Sequence, residues 1–381
     1  MRHKIIAGLI IAFLTFLMMS TGSPALADSF ETALDALDQE DYDTALRLLG
    51  PLAEEGHAGA QFNLGYMYEE GLGVEEDYQK AAEWYRKAAD QGHAKAQFNL
   101  ALLYDMGRGV PQNDQEAFKW YEKAALQGDA GAQYNLGIMY EDGQGVPQNL
   151  EEAVKWYRKA AMQGDSDAQY NLGVMYEEGD GVPQDYEEAV KWYHKAAEQD
   201  DAWAQYNLGA MYAEGRGVPQ DYKEAYFWFH EAAMQDDSDS QVRLGYLYYS
   251  GKGVDRDYQE AFKWYEKAAT QGHADAQFQV GTMCLRGKGT SKNSKAAFKW
   301  YQRAANQGHS LAQFETGLLL AFGQGAPQDD VHAYMWFSLA AENEVKPAKI
   351  AKFILHIKMS SEELDRAEQL VDEWEPEYEE D

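Results

Sequence analysis

Residues 128–164 read GDAGAQYNLGIMYEDGQGVPQNLEEAVKWYRKAAMQG, and with small changes the phrase begins again at Gly164. The period is 36 residues, and tryptophan marks it most plainly: Trp84, Trp120, Trp156, Trp192, Trp228, Trp264, Trp300 and Trp336 are each 36 apart. Trp203 and Trp374 fall outside the series. A period of this size signals a solenoid, in which each unit buries its apolar face against its neighbours. The expectation is therefore one elongated array, although 381 residues would otherwise suggest two or three domains.

Each unit divides into an A helix, a glycine loop and a B helix. In the first unit Ala60, Leu64, Met67 and Tyr68 recur at helical spacing and give the A helix an apolar face. A Gly-x-Gly follows in every unit, from Gly71/Gly73 to Gly323/Gly325, and its first glycine suits a left-handed C-terminal cap. These loops follow helices rather than strands and lack a P-loop lysine, so they are not expected to cradle phosphate. Asp77, Asn113, Asn149, Asp185, Asp221, Asp257, Asn293 and Asp329 stand where the B helix needs an N-cap. Glu116, Glu152, Glu188, Glu224 and Glu260 sit three residues on and match capping-box partners. In the B helix Ala81, Trp84 and Ala88 share a stripe, and the tryptophan is expected to fill the space beside the alanines. Gly92, Gly128, Gly164, Gly272 and Gly308 end that helix. Asp200, Asp236 and Glu344 replace the glycine elsewhere, which should alter those turns.

Around this array the chain is expected to carry residues 1–27 as a signal peptide, 28–57 as an N-terminal capping unit, 58–344 as eight repeats, 345–374 as capping helices and 375–381 as an acidic tail. Arg2, His3 and Lys4 precede a short apolar run over residues 5–19, and Ala25-Leu26-Ala27 is a small-x-small cleavage site. No cysteine follows the run to carry a lipid. The expectation is a periplasmic or secreted chain, cleaved near Ala27, with no stable membrane anchor. Within the N-terminal unit, residues 30–37 and 41–55 are read as two helices, and Gly50-Pro51 marks the unit as atypical. At the other end Lys346–Lys358 is read as partly helical, and Ser360 with Glu363 opens a last helix.

The formal charge of −31 argues against nucleic acid, whose phosphates require Lys and Arg. It argues equally against an anionic membrane surface. A single cysteine, Cys284, allows no internal disulfide and is read as a small buried hydrophobe.

The pattern Ala-x-Gln-Tyr-Asn-Leu-Gly-x-Met-Tyr-x-x-Gly-x-Gly-Val-Pro-Gln-Asp-Tyr-x-x-Ala-x-x-Trp-Tyr-x-Lys-Ala-Ala-x-Gln-Gly resembles the Sel-one-like repeat (SLR) family, a tetratricopeptide-related helical solenoid. The resemblance covers residues 58–344. It implies an all-α fold, an α/α right-handed superhelical solenoid of about eight 36-residue helix-turn-helix repeats. It also implies adaptor or scaffold work on protein or peptide partners. A cysteine-rich secreted branch of the family has been linked with penicillin binding and weak β-lactamase activity. This chain lacks the paired cysteines of that branch, so the activity is not carried over.

No catalytic, cofactor or metal site is expected. His57, His93, His273 and His309 share one repeat position with Asp129, Asp165, Asp201 and Asp237, which suggests a role at the A-helix N-terminus rather than metal binding. The better candidate is a surface. By analogy with tetratricopeptide arrays the A helices line the concave side, where Asn63, Asn99, Asn135, Asn171 and Asn207 form a ladder. An asparagine amide both donates and accepts, so the ladder either holds an extended peptide or ties neighbouring helices together. The preceding Phe62, Phe98, Tyr134, Tyr170 and Tyr206 are read as packing. The ladder breaks at Arg243, Gln279 and Glu315, and acidic A-helix ends such as Glu141 and Glu177 give way to Tyr249, Leu285, Arg286, Ala321 and Phe322. Arg286, Lys288, Lys292 and Lys295 make a local basic patch. The expectation is an acidic, Asn-lined groove over the first five repeats and a mixed basic and apolar patch over the last three. The leading function is an exported, non-enzymatic interaction scaffold. The alternatives are a secreted factor binding a host protein and an enzyme acting on cell-wall or β-lactam substrates.

Overall fold

A computed structural model describes residues 24–376. Among them there are twenty α-helices and no strand. The expected apolar signal run lies outside the described residues, as does most of the acidic tail. The chain divides into two compact units that meet at Gln184 and Asp185. The first opens with the capping helices Pro24–Asp38 and Tyr42–Glu54. The A/B pairs Ala58–Glu69 and Tyr78–Asp90, Ala94–Met106 and Asp114–Leu126, and Ala130–Asp142 and Leu150–Met162 follow, then the A helix Ser166–Glu178. The second begins with the B helix Tyr186–Ala197. It continues through Ala202–Glu214 and Tyr222–Met234, Ser238–Ser250 and Tyr258–Thr270, Ala274–Arg286 and Ser294–Asn306, and Ser310–Ala321 and Asp330–Glu342. Lys346–Lys358 and Ser361–Asp372 close it. This tandem of helix pairs is an α/α solenoid. The helix at Pro24–Asp38 is longer than expected and runs through the Ala25-Leu26-Ala27 tripeptide.

The helix ends follow the sequence closely. Each B helix is capped by the expected Asp or Asn, whose side chain accepts a backbone N–H of the first turn, as Asn149 does from Glu152. The A helices are capped by His or Asp at the position noted above: His93 Nδ1 accepts from the Ala96 N–H at 3.2 Å, and Asp129 from Ala132 at 2.9 Å. Two expectations need correction. The glutamates three residues past the B-helix caps do not reach back to form capping boxes. Glu116, Glu152, Glu188 and Glu260 instead hold Lys119, Lys155, Lys191 and Lys263, because a lysine one turn on offers a charged donor. The capping box found is Ser360 with Glu363. The turns at Asp200, Asp236 and Glu344 are also not remodelled. These residues take the left-handed conformation themselves, at φ 65°, 68° and 61°, and keep the hydrogen bonds of the glycine turns.

Packing explains the remaining positions. Tyr85, Tyr121, Tyr157 and Tyr193, one residue after the tryptophans, are fully buried, whereas Trp84, Trp264 and Trp300 remain partly exposed. The tyrosine therefore fills the interhelical space. Glycines inside the A helices make room for it: a Cβ at Gly137 would lie 2.4 Å from the Tyr157 ring. The tryptophans pack beside this layer, from Trp120 at 1% exposure to the partly exposed Trp84, Trp264 and Trp300, and most carry a cation from the next turn over the indole, Lys159 Nζ being 3.5 Å from the Trp156 ring centre. The second loop glycine does a different job from the first. At Gly145 a Cβ would lie 2.4 Å from the Asp114 carbonyl oxygen of the preceding B helix, so the loop packs directly on neighbouring backbone.

One buried polar position completes the stack. Gln133 is 5% exposed; its Nε2 donates to the Ala125 carbonyl at 3.0 Å, and its Oε1 accepts from Gln163 Nε2 at 2.8 Å. The same pair of bonds is made by Gln61, Gln97, Gln241 and Gln277. Each joins the end of one B helix to the A helix after it and to the end of the following B helix.

Candidate functional site

With the caps, glycines, alanines, tyrosines and glutamines committed to the stack, the outward parts of the A helices are where the repeats differ. All five ladder asparagines are half-buried, at the edge of the stack. Asn63 Nδ2 donates to the Gly59 carbonyl within its own helix at 2.7 Å. Asn99 Nδ2 donates to the Tyr85 hydroxyl at 3.0 Å, and Asn171 is hydrogen-bonded to the Tyr157 and Tyr134 hydroxyls. Asn99 and Asn171 thus tie adjacent repeats. An amide carries two N–H donors and a carbonyl, so one such bond leaves further capacity.

The acidic helix ends are tied in as well. Glu141 accepts from the Tyr157 hydroxyl, and Glu69 from Tyr85. Burial raises both carboxyls above the ordinary range, with the tyrosine hydrogen bond opposing it. Glu177 is half-buried, and its backbone carbonyl accepts from Gln184 Nε2 at 2.8 Å. These residues belong partly to the stack and partly to the surface.

In the second unit Arg243 is exposed, and its Nη2 donates to the Tyr206 hydroxyl at 3.2 Å. It lines a cleft of about 430 Å³ on the A helices with Tyr206, Asp239, Tyr246, His273 and Leu311. A smaller cleft of about 230 Å³ adjoins it, shared by Arg243 and Tyr246 and lined also by Glu214, Tyr222 and Lys252. Arg286 is exposed at the end of its helix and lines neither cleft. The expected basic patch is thinned further because Lys288 turns onto the Tyr249 hydroxyl at 2.8 Å. Tyr246 and Lys252 were not singled out from the sequence, and Trp203 was noted only as a stray tryptophan. Trp203 is 65% exposed on an A helix where other repeats place Gly59, Lys95, Gly131, Asp167, Asp239, Asp275 and Leu311.

The histidines are accounted for by structure. His273 and His309 accept a backbone N–H at Nδ1 and point Nε2 at Asp239 and Asp275, each 3.1 Å away. The hydrogen bond that its Nε2 donates to Asp239 raises His273 above its ordinary value. Among the described residues no group of three or more His, Cys, Asp or Glu side chains is placed to hold a metal ion. Cys284 is buried, and burial pushes its thiol up, away from a reactive thiolate. No helix among the described residues is long and apolar enough to cross a membrane.

These features define a helical-repeat protein of the kind that works through its surface. The chain belongs to the Sel1 repeat family: the repeat is matched at residues 58–93, 94–129, 130–165, 166–201, 204–237, 238–273, 274–309 and 310–345. Among solved structures it is similar to a protective antigen of uropathogenic Escherichia coli with an SLR fold, at 29% identity and a TM-score of 0.64, covering 92% of this chain and 91% of that one. It is also similar to a Sel1 repeat protein from Oxalobacter formigenes, at 33% identity and a TM-score of 0.65, covering 81% of this chain and 90% of that one. The comparison with curated proteins returned no match. Sel1 repeat proteins generally mediate protein–protein interaction, and no catalytic family is indicated.

Proposed function

We propose that the protein is an exported, non-enzymatic scaffold that holds a protein or peptide partner on its A-helix surface. The observation that carries this reading is the contrast between positions. The side chains that build the stack recur every 36 residues, while the A-helix surface changes and places Trp203, Tyr246 and Leu311 in solvent. Exposed aromatic and aliphatic anchors beside polar groups are what a protein interface uses. The free amide capacity of Asn99 and Asn171 suits a peptide backbone, Asn135 belongs to the same row on the first unit, and Asn207 offers a like amide on the second. Glu141 and Glu177 would add charge selectivity on the first unit, and Arg243 and Arg286 on the second.

Export is supported by the basic, apolar and small-residue order of residues 2–27. A protective antigen among the similar structures fits the same setting. The test is a crosslinking pull-down with the chain from Asp28 onward, repeated with Asn135→Ala and Asn171→Ala. A partner lost or weakened in the variants, with helicity unchanged, supports the reading. A partner retained at full yield by both removes the asparagines from the site. Turnover of peptidoglycan fragments or a β-lactam by the same preparation would overturn the non-enzymatic reading.

A further inference from the structure

In a chain of formal charge −31, two cations share the 230 Å³ cleft without an ion pair of their own among the described residues. Lys252 Nζ donates to the Tyr222 hydroxyl at 3.2 Å and to the Tyr246 hydroxyl at 2.9 Å. Arg243 donates to the Tyr206 hydroxyl. Phenols are neutral, so these bonds position the two charges without cancelling them. The carboxylates facing Arg243 are engaged elsewhere: Glu214 lies 2.8 Å from Arg216 Nε, and Asp239 lies 3.1 Å from His273 Nε2.

The pairing is particular to one repeat. The position of Arg243 is Asn in repeats one to five, Gln279 in the seventh and Glu315 in the eighth. The position of Lys252 is Leu72, Arg108, Gln144, Asp180, Arg216, Lys288 and Gln324 elsewhere. Only the sixth repeat places a cation at both. Lys252 is also held in place by its backbone. Gly251 and Gly253 flank it at φ 75° and 73°, and a Cβ at Gly253 would lie 2.2 Å from the Tyr222 carbonyl oxygen, so this loop is seated on the preceding helix.

We infer that Arg243 and Lys252, with the Tyr222 and Tyr246 hydroxyls, form a pocket for an Asp or Glu side chain of an extended acidic segment in a partner protein. Arg243 and Tyr246 line both clefts. A segment crossing from one to the other therefore presents a side chain at their junction, and its neighbouring residues lie against Val242, Phe278 and Leu311 in the larger cleft. Charge-assisted bonds to a guanidinium and an ammonium supply selectivity for carboxylate over amide. This inference rests on the A-helix surface being the docking face.

The test uses the chain from Asp28 onward and a fluorescein-labelled, end-blocked peptide of alternating leucine and glutamate, read by anisotropy. The glutamine counterpart should bind roughly tenfold or more weakly. The double variant Arg243→Gln with Lys252→Gln should lose the glutamate peptide to the same degree at unchanged helicity, and Arg243→Lys should recover part of it. Equal binding of the two peptides, no binding of the glutamate peptide, or wild-type affinity in the double variant would each overturn the inference. A partner captured by the wild type and retained by the double variant removes this pocket but leaves the scaffold reading standing. Capture of no partner by the wild type counts against the scaffold itself.

Discussion

Gln133 and Gln313 occupy the same repeat position, yet replacing each by methionine should have different consequences. Gln133 makes two bonds, at 3.0 Å to the Ala125 carbonyl and 2.8 Å from Gln163. Gln313 makes one longer bond, at 3.4 Å to the Ala305 carbonyl, and its buried Oε1 has no partner among the described residues. The reason lies 30 residues on. Asn343 stands where Gln163 stands in the third repeat; its side chain is one methylene shorter, and it turns back to the Leu339 carbonyl at 3.1 Å. Methionine nearly conserves volume, so cavity effects are similar at the two sites and the difference isolates the hydrogen bonding. Gln133→Met forfeits two bonds worth about 0.5–1.5 kcal/mol each, whereas Gln313→Met removes a buried unsatisfied oxygen that itself costs about 1–3 kcal/mol. Gln313→Met also gives up its one bond, so the difference between the two is one bond plus the relieved oxygen, and Gln133→Met should be the more destabilising by about 1.5–4.5 kcal/mol. Asn343→Gln should stabilise by about 1 kcal/mol by supplying the missing donor. Equilibrium urea unfolding followed by far-UV circular dichroism measures all three. Equal losses at Gln133 and Gln313, together with no gain from Asn343→Gln, would refute the reasoning.

Two glycine substitutions separate strain from crowding. Gly128→Ala meets only the left-handed penalty of about 1–2 kcal/mol, since nothing lies within 4 Å of the added Cβ. Gly145→Ala adds a Cβ 2.4 Å from the Asp114 oxygen and should lower the unfolding midpoint clearly further; equal midpoints would contradict the seating of the loop. Asp200→Gly, at φ 65°, should stabilise by about 1 kcal/mol in the same assay. Burial holds the Glu141 carboxyl above its usual value, so its protonated form is favoured in the folded state and its contribution to stability falls as pH rises through the raised pKa. Glu141→Gln, which keeps an acceptor for Tyr157, should thus raise the melting temperature at pH 7, and the gain should vanish below the usual carboxylate range; a pH-independent gain would point to another cause.

The array was legible because its punctuation is local. A cap such as Asn149 and a left-handed glycine such as Gly143 act within one turn of the residues they serve. Most of what was missed involves partners on another helix. The Gln133 carbonyl partner is backbone and leaves no residue in the sequence to match, although a glutamine recurring every 36 residues beside buried alanines was itself a signal. Trp156 and Tyr157 recur equally well, and which is deeper depends on a helix rotation of about 100° per residue that periodicity across repeats does not report. Glu116 fitted the capping-box pattern, but Lys119 on the next turn claims its carboxylate. The asparagine ladder was visible as a row. Its use of Tyr85 and Tyr157 was hidden because those hydroxyls come from the preceding repeat. Lys252 gained meaning only when its loop was seen beside Arg243.

A benzophenone photo-crosslinker installed in place of single exposed residues, in the cells that make the protein, tests the scaffold most directly. Trp203 and Leu311 report on A helices, at 65% and 48% exposure, and Leu126 and Met162 on B helices, at 69% and 75%. Exposure alone therefore favours the B-helix sites. Adducts to a partner at positions 203 and 311, and little at 126 and 162, are the expected result. Adducts concentrated at 126 and 162 would place the partner on the other helices and contradict the account.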